Sequence, residues 1–204
     1  MKKIEVVVFA VLISFILMAL LPSFVYDNTI GENLIRLHIR ADSDLANAQE
    51  VKLMVRDEIL KETRLITEGA QSKEEALGRI NDNLLKYQEV ADRVLFEAGT
   101  DYRADVLVNE EFFTTRDYGS VTIPAGKYTT LAIELGKGEG KNWWCVMFPP
   151  LCYQGEDAEI SQEAAAYFSK NLSARDYQLI NSTQTNKRVF KFKVIEIYEK
   201  LKNG

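Results

Sequence analysis

Val6 to Leu21 is a run of sixteen residues in which Ser14 is the one polar member, and Met1-Lys2-Lys3 precedes it. A short basic end followed by such a run is a secretory signal or an uncleaved anchor. At 1.5 Å per residue the run spans about 24 Å, and continued to Tyr26 it reaches the roughly 30 Å of a hydrocarbon core. Met18-Ala19-Leu20-Leu21-Pro22 offers Ala19 no good partner for a small-x-small cleavage site. Cleavage and anchoring both stay open. Lys2 and Lys3 are expected to stay cytoplasmic. The chain thus divides into residues 1–26, a signal peptide or membrane anchor, and residues 27–204, an extracytoplasmic domain.

Several functions are disfavoured by composition. The 204 residues carry a net charge of -5, with no long basic block, which argues against nucleic-acid binding through phosphates. His38 is the single histidine, so a multi-histidine metal site is excluded and a Ser-His-Asp or Cys-His enzyme would have to use that residue. His38 lies near Asp42, Ser43 and Asp44, but a helix cap explains Ser43 and Asp44, and a surface histidine is the default. Glu74-Glu75 and Glu110-Glu111 read as solvated faces. Gly136-Lys137-Gly138-Glu139-Gly140-Lys141 lacks the phosphate-loop spacing and reads as a flexible hairpin loop. No metal, cofactor or small-molecule substrate is expected.

The element pattern is α+β: a single domain with an antiparallel sheet packed by two to four helices. Ile35, Leu37 and Ile39 alternate with Arg36, His38 and Arg40, a half-buried strand with His38 on its polar face. Asn47 with Glu50 suggests a capping box, and Ala48, Val51, Val55 and Ile59 give a helix to about Arg64. Ser72 with Glu75 starts a second helix of roughly 25 residues, stopped at Gly99. Residues 102–113, 121–123, 128–135 and 142–148 read as strands of an antiparallel meander, with a Pro124-Gly126 turn using glycine at positive φ. Residues 154–161 read as a loop and 162–168 as a short helix; 173–186 is the least structured stretch. Residues 188–201 fit a strand at first and a helix over the longer span, and helix is preferred for length.

Residues 141–153, KNWWCVMFPPLCY, concentrate the stiff and apolar chemistry. Outside a membrane Cys145 and Cys152 can oxidise, closing a short loop around Pro149 and Pro150 for about 2–3 kcal/mol; two free buried thiols are the alternative. Trp144, Val146 and Phe148 share the face expected to be buried. Trp143, Cys145 and Met147 share the other, expected to stay partly open as a docking patch.

Four stretches resemble the stage II sporulation protein R family of endospore-forming bacteria. They are Ile35-Arg36-Leu37-His38 into Ala41-Asp42-Ser43-Asp44; Gln49, Lys52 and Val55-Arg56-Asp57; Pro124-Ala125-Gly126-Lys127-Tyr128; and Asn142-Trp143-Trp144-Cys145-Val146 with Phe148-Pro149-Pro150-Leu151-Cys152. Arg116 and Tyr118-Gly119 also fit. Asp42 stands where the family is expected to have asparagine, and Thr114 where proline is expected. The resemblance implies a protein exported from the forespore into the space between forespore and mother cell, or anchored on the outer face of the membrane. There it would activate a membrane-embedded aspartic protease that processes pro-sigma-E, without an active site of its own. Partner contact is then expected at Asp42, Ser43, Asp44, Asn142, Trp143, Met147, Pro149 and Pro150. The rival expectation is a membrane-anchored extracytoplasmic hydrolase or cell-wall-binding module.

Overall fold

Two alternating segments far apart in sequence, 35–40 and 126–135, lie side by side and run in the same direction. The computed structural model describes residues 29–152 and 160–182, with Phe9, Ile13 and Ser14. The signal or anchor segment, most of the 154–161 loop and the ambiguous 188–201 segment lie outside the described residues. Among those residues no helix is long and apolar enough to cross a membrane.

The strands are β1 (Ile35–Arg40), β2 (Ala104–Phe113), β3 (Arg116–Tyr118), β4 (Val121–Ile123), β5 (Gly126–Leu135) and β6 (Asn142–Phe148). The helices are α1 (Ala46–Ile66), α2 (Lys73–Asp82), α3 (Leu84–Glu97), α4 (Gln162–Asn171) and α5 (Ala174–Ser182). The main sheet has the order β2-β5-β1-β6, with β3 and β4 forming a separate hairpin. The architecture is a single α+β domain, but the expected antiparallel meander is wrong in one respect: the sheet is mixed. β1 inserts between β5 and β6, parallel to the first and antiparallel to the second. The 136–141 loop therefore straddles β1 instead of closing a hairpin.

A central strand explains the burial of β1. Ile35, Leu37 and Ile39 are fully buried, and so is Arg36 on the opposite face, with His38 only 3% exposed. The expected half-buried strand is buried on both faces. α1 and α3 cover the face with the isoleucines, through Val51, Val55, Ile59, Tyr87, Val90 and Val94. The two helices run antiparallel: the Tyr87 hydroxyl donates to Thr63 Oγ1 at 3.2 Å, and Lys86 pairs with Glu62.

Helix boundaries show which local signals acted. Ser72 accepts from the Glu75 amide at 3.2 Å, and the Glu75 carboxylate accepts from the Gln71 amide at 2.9 Å. The Asn47 box does not form; α1 begins at Ala46 behind Leu45, with no side-chain cap. The expected 25-residue helix is broken at Asn83 into α2 and α3. Asn81-Asp82-Asn83 explains the break, because such side chains compete for backbone groups, and Asn83 Nδ2 donates to the Arg79 carbonyl at 2.8 Å. Gly99 does stop α3 at φ 74°. Gly126 adopts no positive φ; it opens β5 opposite Phe113. Part of the stretch expected to be least structured is α5, started by a box the sequence reading missed: Ser173 Oγ accepts from the Asp176 amide at 3.1 Å and donates to its carboxylate at 2.7 Å. Five helices, not two to four, complete the described fold.

Candidate functional site

The cysteines form a bridge, with Cα atoms 5.3 Å apart. It spans the turn after β6, where the Phe148-Pro149 peptide is cis and the Leu151 amide donates to the Val146 carbonyl at 3.1 Å. The eight-residue loop gives an expected loss of about 2 kcal/mol on replacing both cysteines by serine, read by urea unfolding. A loss near zero would show that the prolines alone hold the turn.

Two clusters arise from the residues expected to meet a partner. At one end of the sheet, Asp42 Oδ1 accepts from the Lys137 amide at 3.0 Å and Asp44 Oδ1 from the Lys141 amide at 2.8 Å. The Gly140 amide donates to the Ala41 carbonyl at 2.9 Å, the Glu139 amide to the Asp42 carbonyl at 3.2 Å, and the Ser43 carbonyl accepts from Gln49 Nε2 at 2.8 Å. The 136–141 loop expected to be flexible is thus locked into the β1–α1 turn. Lys52 closes the lock: its Nζ donates to the Lys141 carbonyl at 3.0 Å and to Gln49 Oε1 at 2.7 Å. Burial, aided by the nearby Arg56 charge, holds the Lys52 ammonium below the usual lysine range. Asn142 and Trp143 stand beside this turn. Met147, Pro149 and Pro150 lie at the other end of β6, about 17 Å away at the rise of a strand. There Met147, Phe148 and Pro150 line a cavity of about 300 Å³ with Leu60, Thr63 and Arg64 of α1, Glu68 just beyond its end, and Glu163 of α4.

The expectation for β6 holds on one side and fails on the other: Val146 and Phe148 are buried as expected, but Cys145 and Met147 are buried too, and Trp143 is half-buried. Trp143 pairs with Ile39 and Cys145 with Leu37, so these residues turn toward α1. The Arg56 guanidinium lies 4.3 Å over the Trp143 ring. Met147 is 2% exposed and therefore part of the core. The cause is the helix layer, which covers the face that was expected to be open. Trp143 stays half-buried, and its indole Nε1 has no partner among the described residues.

On the opposite face, Arg36 and His38, expected on a polar face, form a centre with Trp144, which was expected to be buried. The Arg36 guanidinium sits 4.0 Å from the Phe113 ring centre and 5.1 Å from that of Tyr128, and donates to the Tyr118 hydroxyl at 2.7 Å. Its Nε and Nη1 have no partner among the described residues. Burial lowers the Arg36 pKa and raises that of Tyr118. His38 stacks on Trp144 at 3.7 Å, and Trp144 meets Phe113 edge-on at 4.7 Å. Phe113 and Trp144 come from opposite edges of the sheet and meet over its middle strands. The alternation in IRLHIR was the signal for this shared face; the ring cage that buries it is assembled from distant strands.

Residues 31–158 match the family model described as Stage II sporulation protein R. The chain belongs to the stage II sporulation protein R family. It is 33% identical over 156 residues to Stage II sporulation protein R of Bacillus subtilis (strain 168), covering 72% of this chain and 70% of that protein. No solved structure matches. The matched region contains the locked turn, the Arg36 cage and the bridged loop. A relative carrying this name is a sporulation protein, and the name designates no enzyme.

Proposed function

We propose that this chain is an exported sporulation signal that activates a membrane-embedded aspartic protease, leading to processing of pro-sigma-E in the mother cell. The family match over residues 31–158 carries the reading. The N-terminal apolar run supports export into the space between forespore and mother cell, or anchoring on the outer face of the membrane. The locked turn, Trp143 and the bridged loop are rigid in this fold, so little ordering entropy is lost when they dock. Docking that favours the protease's active arrangement shifts its population.

The hydrolase alternative would use His38, whose Nδ1 lies 2.7 Å from Glu111. Its Nε2 is occupied by Asn142 at 2.7 Å, so no ring nitrogen is free for a substrate. A His38→Ala protein that signals normally would remove that alternative. The cell-wall-binding form would be dropped if retention on purified wall matched an inert secreted control.

The test in cells uses a sporulating strain lacking its own copy. The wild-type chain is expected to restore precursor cleavage, and Trp143→Ala is expected to reduce it at least about tenfold if that ring anchors the partner. Met147→Ala is expected to act through the shape of the cavity. If both variants were folded, exported and fully active, docking through Asn142–Pro150 would be abandoned.

A further inference from the structure

His38 is 3% exposed, and both ring nitrogens meet oxygen atoms. Asn142 Oδ1 lies 2.7 Å from Nε2 and also accepts from Arg40 Nε at 3.1 Å. A guanidinium only donates, so the Asn142 amide turns its oxygen to both neighbours, and Nε2 is a donor. On the other side, Glu111 Oε2 lies 2.7 Å from Nδ1. Burial raises the Glu111 pKa, but the hydrogen bond and charge of His38, with a further bond from Asn109, bring it below the ordinary range. Glu111 Oε1 accepts from Asn109 Nδ2 at 3.2 Å and its Oε2 faces the ring, so both carboxylate oxygens serve as acceptors and Nδ1 is a donor as well. A ring that donates from both nitrogens is an imidazolium.

We propose that His38 is a proton-dependent latch: as imidazolium it ties edge strand β2 to edge strand β6, and loss of its proton releases the Asn142 end of β6 together with Trp143. A neutral ring keeps one N–H, and the charge-assisted bond to Glu111 is the stronger of the two. The Nε2 lone pair then faces Asn142 Oδ1, two acceptors in contact. Asn142 cannot relieve this by flipping, since its Nδ2 would meet Arg40 Nε. It moves instead, and Lys141 and Trp143 are its chain neighbours. The charged groups around His38 are Arg36 and Arg40 on its own strand, Glu111 and Asp105 from β2, and Glu134 from β5; β6 supplies the neutral Asn142 and Trp144, and β3 the Tyr118 hydroxyl on Arg36. Glu134 pairs with Arg40 at 3.3 Å, which leaves Glu111 as the carboxylate on the ring. The effect on docking rests on the signalling reading above; the latch itself does not.

Because His38 is the single histidine, its ring is assigned without ambiguity. The experiment follows imidazole nitrogen–proton correlations, the Asn142 side-chain amide and the Trp143 indole in the folded chain from about pH 5 to about pH 9, bracketing the histidine range. The expected result is a doubly protonated ring at the acid end, with the Asn142 and Trp143 signals moving in step with its titration. Asn142→Asp should displace that transition to higher pH. Asn142→Leu should uncouple Trp143 from the ring. A neutral ring at the acid end would overturn the latch, as would a ring that titrates while Asn142 and Trp143 stay fixed. A chain that fails here yet drives precursor cleavage loses only the latch. One that passes here yet drives none loses only the signalling reading.

Discussion

Gly140→Ala is expected to destabilise the fold by about 3 kcal/mol, among the largest effects of any single methyl group in this chain. A Cβ on Gly140 would fall on the Ser43 carbonyl oxygen, with the Ser43 carbonyl carbon 2.5 Å away and Ala41 Cβ at 3.0 Å. The first two are backbone atoms and cannot rotate aside. The Gly140–Ala41 hydrogen bond must then break, and with it the register that brings Asp44 to Lys141. Gly78→Ala is the matched control. It lies inside α2, where an added Cβ meets nothing within 4 Å, so a gain of about 0.5–1 kcal/mol is expected from helix propensity. Urea unfolding of the two variants should give opposite signs. A neutral Gly140→Ala would mean that the loop has a second conformation compatible with the fold.

Arg36 gives the second large effect. Arg36→Ala is expected to cost about 3 kcal/mol, since it empties a fully enclosed volume and leaves the Tyr118 hydroxyl without its donor. Arg36→Met should stay within about 1 kcal/mol of the native chain or exceed it in stability. Methionine fills the cage between Phe113 and Tyr128, and removing a buried charge offsets the lost bond to Tyr118. If methionine proved as damaging as alanine, the guanidinium's contacts with the ring faces would be the stabilising interaction and not its volume.

How far the fold was legible depended on the range of the interaction. Ser72 and Gly99 act through neighbours three to five residues away, and both readings were right. The α1 face through Val51, Val55 and Ile59 was right for the same reason. Strand existence was also readable where the alternation ran long enough, but the three-residue β3 was missed. Strand order was not readable: nothing in residues 34–40 says that β1 slips between β5 and β6, and that placement decides which face of β6 meets a helix. The burial of Cys145 and Met147, on the side expected to stay open, follows from that one fact. The site divides in the same way. The bridge was suggested by spacing and compartment, whereas the pairings of Glu111, His38 and Asn142 join three strands and had no local signal. Asp42 and Asp44 were picked out as notable, and their carboxylates accept from the amides of the 136–141 loop.

Co-expression in a non-sporulating host tests the central claim most directly. The exported chain, the candidate membrane protease and the sigma-factor precursor are produced together, and the precursor's size is followed on a blot. Cleavage that requires this chain is the predicted result. An uncut precursor, with all three proteins present and this one outside the membrane, would contradict the activator role.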